Sequence, residues 1–182
     1  MQILAISGSL RAGSTNSHLL RAAASLAPEN VHFTFYNGLA ELPHFSPELD
    51  GDNPPTSVID LRELLQAADG VLICTPEYAF GVPGSLKNAL DWTVSTCAFS
   101  NKPVASISAS STYMGGDKAR ASLLLTLTAL GANIIDSENL AIAAVRTKMN
   151  TDGEVTDLAT IQALKSVVEA LVQAIEAIEL ST

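Results

Sequence analysis

The chain of 182 residues is poor in charge, in aromatic rings and in sulfur. Charged residues make up 16% of it and aromatics 5%. Ten Lys and Arg stand against nineteen Asp and Glu, so the formal net charge is −9. Such a surface repels phosphate backbones and anionic lipid, which argues against nucleic acid and membrane surfaces as partners. Two cysteines, Cys74 and Cys97, are too few for a disulfide scaffold, and with nothing arguing for export a cytoplasmic protein is expected. Three scattered histidines (His18, His32, His44), with no CxxC or HxxxH pair, supply no ligand set for a metal. No apolar run approaches the ~20 residues that span a bilayer. The opening MQILAISGSL has no basic stretch, so no signal peptide is expected.

What the chain does have is apolar residues, 47% of the total, in a length that suits one domain over residues 1–182. Folding at this size hides roughly 70% of the unfolded chain's surface. The runs QILAIS (2–7), GVLICT (70–75) and VASISA (104–109) are apolar without alternation, as parallel strands covered on both faces are. VHFTFY (31–36) and residues 133–136 complete five strands. Between and after them, 14–26, 58–68, 83–98, 117–130 (closed by Gly131) and 156–180 have helical character. Residues 37–57 hold four prolines and are expected as a long loop. The last helix carries Leu158, Ile161, Leu164, Val168, Leu171, Ile175 and Ile178 at spacings of three and four, one apolar stripe for packing on the body. This alternation predicts an α/β fold: a flavodoxin-like, doubly wound, five-stranded parallel sheet of order 2-1-3-4-5 with helices on both faces. Ligands in such sheets sit at the C-terminal ends of the strands, which singles out the loops 8–16, 76–84 and 110–117.

The first loop, Gly8-Ser9-Leu10-Arg11-Ala12-Gly13-Ser14-Thr15-Asn16, opens directly onto a helix. Helix-start amides and the helix dipole favour an anion. The hydroxyls of Ser9, Ser14 and Thr15 and the amide of Asn16 donate to phosphate oxygens, and Arg11 grips two at once. Two familiar patterns fail here. GxGxxG needs glycine where Leu10 stands, and GxxxxGK[ST] needs lysine where Ser14 stands. In the second loop Pro76, Pro83 and the glycines hold the backbone on a defined path. Tyr78 and Phe80 are placed to shield a flat ring, and Glu77 reads more readily as a structural carboxylate than as a general base.

Gly8-Ser9-Leu10-Arg11 with Ser14 and Asn16, followed by Pro76-Glu77-Tyr78 and by Pro83-Gly84-x-Leu86-Lys87-Asn88-Ala89-Leu90-Asp91-Trp92, resembles the NAD(P)H-dependent FMN reductases, which include quinone, azo and chromate reductases. The resemblance runs over about residues 2–135. It implies that Ser9, Arg11, Ser14 and Asn16 hold the FMN phosphate and that Pro76, Glu77 and Tyr78 lie along the isoalloxazine ring; Thr15, Ala79 and Phe80, in the same two loops, are also expected to bind the cofactor. Many members have asparagine where this chain has Ala79, so a side-chain amide beside the flavin is lost. The third loop, Ser110-Ser111-Thr112-Tyr113-Met114-Gly115-Gly116, keeps the paired glycines, and Ser110 and Ser111 are expected at the pyrimidine edge.

The resemblance further implies hydride transfer from NAD(P)H through FMN to free flavin, a quinone or a similar small acceptor. The flavin carries that chemistry, so no catalytic side chain is required. The alternatives are a flavodoxin-type electron carrier and an interaction protein without cofactor. Lys118 and Arg120 are the nearest remaining cations, by chain position, for the phosphates of a pyridine nucleotide, and equally candidates for a subunit interface. Leu123, Leu124, Leu125 and Leu127 point around most of the fourth helix, which with the resemblance predicts a homodimer or homotetramer.

Overall fold

The computed structural model describes residues 1–135 and 140–180. Strands β1 (Gln2–Ser7), β2 (His32–Tyr36), β3 (Gly70–Thr75), β4 (Pro103–Ala109) and β5 (Asn133–Ile134) form a parallel sheet in the order β2-β1-β3-β4-β5. Helices α1 (Thr15–Ser25), α2 (Thr56–Ala67), α3 (Gly84–Asp91), α4 (Asp117–Ala129) and α5 (Leu158–Glu179) connect and cover it. This is the expected flavodoxin-like order.

The period of two along each strand divides one apolar run between two cores. Ile3 and Ala5 of β1 join Leu72, Cys74 and Ile107 under α1 and α5, where Leu19, Leu20, Leu164, Val168 and Leu171 are buried. Leu4 and Ile6 face the other way with Val71 and Ile73, under α2, α3 and α4 through Leu61, Leu65, Leu86, Leu90, Leu123 and Leu127. Burial of each leucine, isoleucine or valine among them stabilises the fold by roughly 1.5–3 kcal/mol, so both faces are closed by large terms.

A sixth strand, β6 (Ala141–Ile142), was not expected. It pairs with the end of β4 (Ser108 and Ala109), whereas β5 pairs with its beginning (Pro103 and Val104). The sheet edge is thus made in two pieces of two residues, too short for any period to register. Asp136, expected at the end of the fifth strand, lies outside the described residues.

The helix expected over 83–98 ends at Asp91. Beyond it the Thr93 hydroxyl donates to the Leu90 carbonyl at 2.7 Å and that of Thr96 to the Thr93 carbonyl at 3.3 Å. Such local bonds compete with helix propagation, and residues 92–101 run in successive turns. The run through α3 serves the scaffold. Asn88 accepts from the Phe45 amide at 2.8 Å and donates to the Pro43 carbonyl at 2.9 Å, and the Trp92 indole donates to that same carbonyl at 2.9 Å. One turn of α3 therefore clamps the proline-rich connection between β2 and α2.

Residues Leu158–Ile178 of α5 are long and apolar enough to cross a membrane by length and composition, against the expectation that no apolar run approaches that length. The helix is nevertheless amphipathic. Leu164, Val167, Val168, Leu171, Val172 and Ile175 are buried on the sheet, while Lys165, Glu169 and Glu176 are on the exposed face.

Candidate functional site

The loops after β1, β3 and β4 meet over the C-terminal edge of the sheet around a cleft of about 170 Å³. Ten of the twelve residues predicted for the site line it: Ser9, Arg11, Ser14, Thr15 and Asn16 from the first loop, Pro76, Glu77 and Tyr78 from the second, Ser110 and Ser111 from the third. A larger groove of about 490 Å³ lies beside α1, between His18 and Arg21 and the segment 152–155. It is not at the strand ends, and its loop amides at Asp152, Gly153 and Glu154 already donate to Asn150, so the smaller cleft is the candidate site.

In the first loop the serines form a chain of hydroxyls. Ser14 caps α1 by accepting from the Ser17 amide at 3.1 Å, and the Ser17 hydroxyl donates to Ser7 Oγ at 3.2 Å. The Ser9 hydroxyl accepts from the Arg11 amide at 3.3 Å, which leaves its own proton for a ligand. The backbone amides of Ala12, Gly13, Thr15 and Asn16 have no partner among the described residues. Asn16 is buried and its Oδ1 accepts from the Cys74 thiol at 3.2 Å, so the amide nitrogen is the end available to the cleft. Burial pushes the Cys74 thiol pKa up and keeps it protonated as that donor. Cys74 is thus core and orientation, not redox chemistry.

The second loop is a tight reversal. Tyr78 and Gly81 exchange backbone hydrogen bonds at 3.0 Å each way. Ala79 and Phe80 between them both have positive φ, 49° and 62°, as a type I′ turn requires and as Asn-Gly best provides. The turn tip explains why Ala79 and Phe80 do not line the cleft. Phe80 is 78% exposed. A side chain with a Cβ pays about 1–2 kcal/mol in this left-handed region. Phe80→Gly, after its larger unfolded-state entropy of ~0.5–1 kcal/mol, is expected to raise stability by about 0.5–1 kcal/mol, or roughly 1–4 °C in Tm. Phe80→Ala keeps the Cβ and should not. A melting curve showing a lower Tm for the glycine variant would mean the ring itself is holding the loop.

Glu77 is explained by α4. Its Oε2 accepts from the amides of Lys118 and Ala119 at 3.0 Å each, while the helix's own N-cap, Gly116, has no side chain to offer. The carboxylate ties the second loop to the helix that follows the third and is held away from general-base work. The third loop carries Ser110, whose Oγ lies 3.0 Å from Thr112 Oγ1, and Tyr113, which is 86% exposed.

Four lining residues escaped the sequence reading: Gly13, Ala109, Val145 and Arg146. Gly13 and Ala109 adjoin residues that were named. Arg146 comes from the short 3-10 turn Val145–Lys148 after β6, and only the paired segments 110–112 and 144–145 bring it in. Arg120, expected to face a nucleotide phosphate, is 6% exposed and points into the protein instead. Lys118 is exposed and pairs with Asp117 at 3.4 Å.

The donor set fits a flavin mononucleotide: free amides at a helix start, hydroxyls, an amide and a guanidinium for one phosphate, and a polar loop beyond. The comparisons point the same way. The NADPH-dependent FMN reductase family model matches residues 1–147. The quinone reductase of Escherichia coli is 29% identical over 99% of this chain and 98% of its own length. The NAD(P)H-dependent FMN reductase of Pseudomonas aeruginosa is 32% identical over 86% of this chain and 85% of its own. Among solved structures, the flavoenzyme NAD(P)H:(acceptor) oxidoreductase FerB of Paracoccus denitrificans superposes with a TM-score of 0.87 at 32% identity, covering 97% of both chains. Sheet order, loop chemistry and these matches agree, and the chain belongs to the NADPH-dependent FMN reductase family, enzymes that use FMN and a reduced pyridine nucleotide.

Proposed function

We propose that the protein holds FMN in this cleft and reduces a small acceptor, a quinone or free flavin, at the expense of NAD(P)H. The observation that carries the reading is the cradle itself: four unpartnered amides, hydroxyls and Arg11 at one helix start, without the lysine of a triphosphate site or the glycines of a dinucleotide site. Ser9, Arg11, Ser14, Thr15 and Asn16 hold the phosphate, and Pro76, Tyr78, Ser110 and Ser111 flank the remainder. The names of the relatives, quinone reductase and FMN reductase, support the acceptor class. FMN held by these residues would supply the hydride chemistry, with the further proton that a reduced quinone or flavin needs coming from solvent at the cleft mouth. The side chains bind and orient; none is needed as acid or base.

At about 170 Å³ the cleft is smaller than the ~300–1,000 Å³ usual for small-molecule sites. It encloses part of an FMN and leaves the rest at an open mouth between Tyr78 and Tyr113, both exposed. Nucleotide and acceptor then take turns at that mouth. Absorption spectra of the purified protein should show flavin bands that bleach on anaerobic addition of NADPH, and steady-state kinetics should give parallel double-reciprocal lines. Bound flavin that NADPH leaves oxidised would make this an electron carrier. Intersecting lines would mean the two substrates bind together.

A homodimer or larger assembly is part of the reading, but its surface shifts. Leu123 and Leu127 are buried within the chain, Leu124 is half-buried, and only Leu125, at 75%, is strongly exposed. Leu10 and Met114, exposed on the first and third site loops, supply apolar surface that α4 does not. Sedimentation at micromolar concentration should give at least twice the 19.0 kDa chain mass. A species of single-chain mass would remove the assembly.

A further inference from the structure

We infer that Arg146 is a second phosphate-binding side chain of the cleft, working beside Arg11. Resting on the FMN reading above, the inference starts from where the cations are spent. Of the ten Lys and Arg, seven are engaged within the protein. Arg62, Lys87, Lys118, Lys148 and Lys165 pair with carboxylates, Lys102 donates to the Ala68 carbonyl, and Arg120 is buried and engaged. The side chains of Arg11, Arg21 and Arg146 make no ion pair or hydrogen bond with the described residues, and two of these three line one small cleft. In a chain of net charge −9 that concentration is not a solvated face. The lining carries one carboxylate, Glu77, and it is committed to the α4 amides.

The backbone is arranged to deliver Arg146. The Ala144 amide donates to the Thr112 carbonyl at 2.9 Å and the Val145 amide to the Ser110 carbonyl at 3.0 Å. Ala144 sits at φ 48°, a left-handed conformation unfavourable for a residue with a Cβ. The Val145 side chain is buried in the core, and its neighbour Arg146 is exposed at the cleft. A phosphate monoester carries about −1.5 to −2 charges near pH 7, more than Arg11 alone balances. A guanidinium also matches phosphate oxygens in pairs. The phosphate is that of FMN or that of the pyridine nucleotide, and one experiment separates them.

Full-length Arg146→Ala and Arg146→Lys proteins, stripped of flavin, are titrated with FMN and with riboflavin, and the reloaded proteins with NADP⁺. A contact to the FMN phosphate lowers FMN affinity at least tenfold in the alanine variant, leaves riboflavin affinity unchanged and is partly restored by lysine. A contact to the nucleotide phosphate leaves both flavin affinities unchanged and lowers NADP⁺ affinity at least tenfold. Equal losses for FMN and riboflavin, or no loss above twofold anywhere, overturn the inference. Circular dichroism and melting confirm the fold, and Arg146→Gln replaces the alanine variant should that fail to fold. A wild-type chain that binds no FMN would instead sink the functional reading and this inference together.

Discussion

Arg11→Ala is expected to weaken FMN binding by about 10- to 150-fold, the equivalent of the ~1.5–3 kcal/mol of a charge-assisted hydrogen bond. The guanidinium is exposed and unpartnered among the described residues, so its removal frees no buried group and leaves the fold intact. Solvent screening of an exposed cation favours the lower end of that range. The loss should be specific to phosphate: riboflavin should bind the variant and the wild type alike, and the difference between the two proteins should shrink as salt rises. Fluorescence titration of flavin-free protein measures both. Unchanged FMN affinity in a folded Arg11→Ala protein would take Arg11 out of the site and leave the amides and hydroxyls of the helix start as the whole cradle.

How much of this was legible in the sequence depends on how local the physics is. The expected bounds of β1 and β3 match the structure because each is a continuous apolar run stopped by a loop residue, Gly8 in one case and Pro76 in the other. The first two loops declared themselves because glycines, hydroxyls and prolines act over a few bonds. The third was weaker, yet Ser110 and Ser111 do line the cleft. Failures began where the deciding contact was distant. Leu123 and Leu127 looked like an interface, and the core beneath α4 had already absorbed them. Arg120 lay near the third loop in chain order but turned inward, while Arg146, 26 residues further along, turned toward the cleft. Two-residue β6 has no pattern to find, whereas β5 falls within the strand expected over 133–136. Ala79 is the instructive middle case. Its departure from the asparagine of the resembling family predicts a lost flavin contact, and the positive φ there adds a second reason for asparagine, the turn itself.

Gly115→Ala should be the most damaging small substitution in the site's framework. Gly115 is buried at φ +64°, and a Cβ there would meet the carbonyl carbon of Ala141 at 2.8 Å, its oxygen at 2.9 Å and the amide nitrogen of Ala143 at 2.9 Å. All three are backbone atoms, so no rotamer change makes room. The left-handed conformation adds about 1–2 kcal/mol for alanine, and displacing packed backbone adds roughly 1–3 kcal/mol more. Together these predict a loss of about 2–5 kcal/mol, or roughly 4–20 °C in Tm for a chain of this size. The damage should also reach function. The third loop and the segment 141–145 are the two sides of that contact, and they carry Ser110, Ser111 and Arg146 into the cleft. FMN affinity should therefore fall along with stability, even at temperatures where the variant remains folded. Gly84→Ala is the matched control: nothing lies within 4 Å of the added Cβ, its φ is not positive, and it opens α3. It should be neutral or stabilising by less than ~1 kcal/mol. Equal melting temperatures for Gly115→Ala and wild type would show that the third loop moves freely from the 141–143 backbone, and the route by which Arg146 reaches the cleft would have to be sought elsewhere.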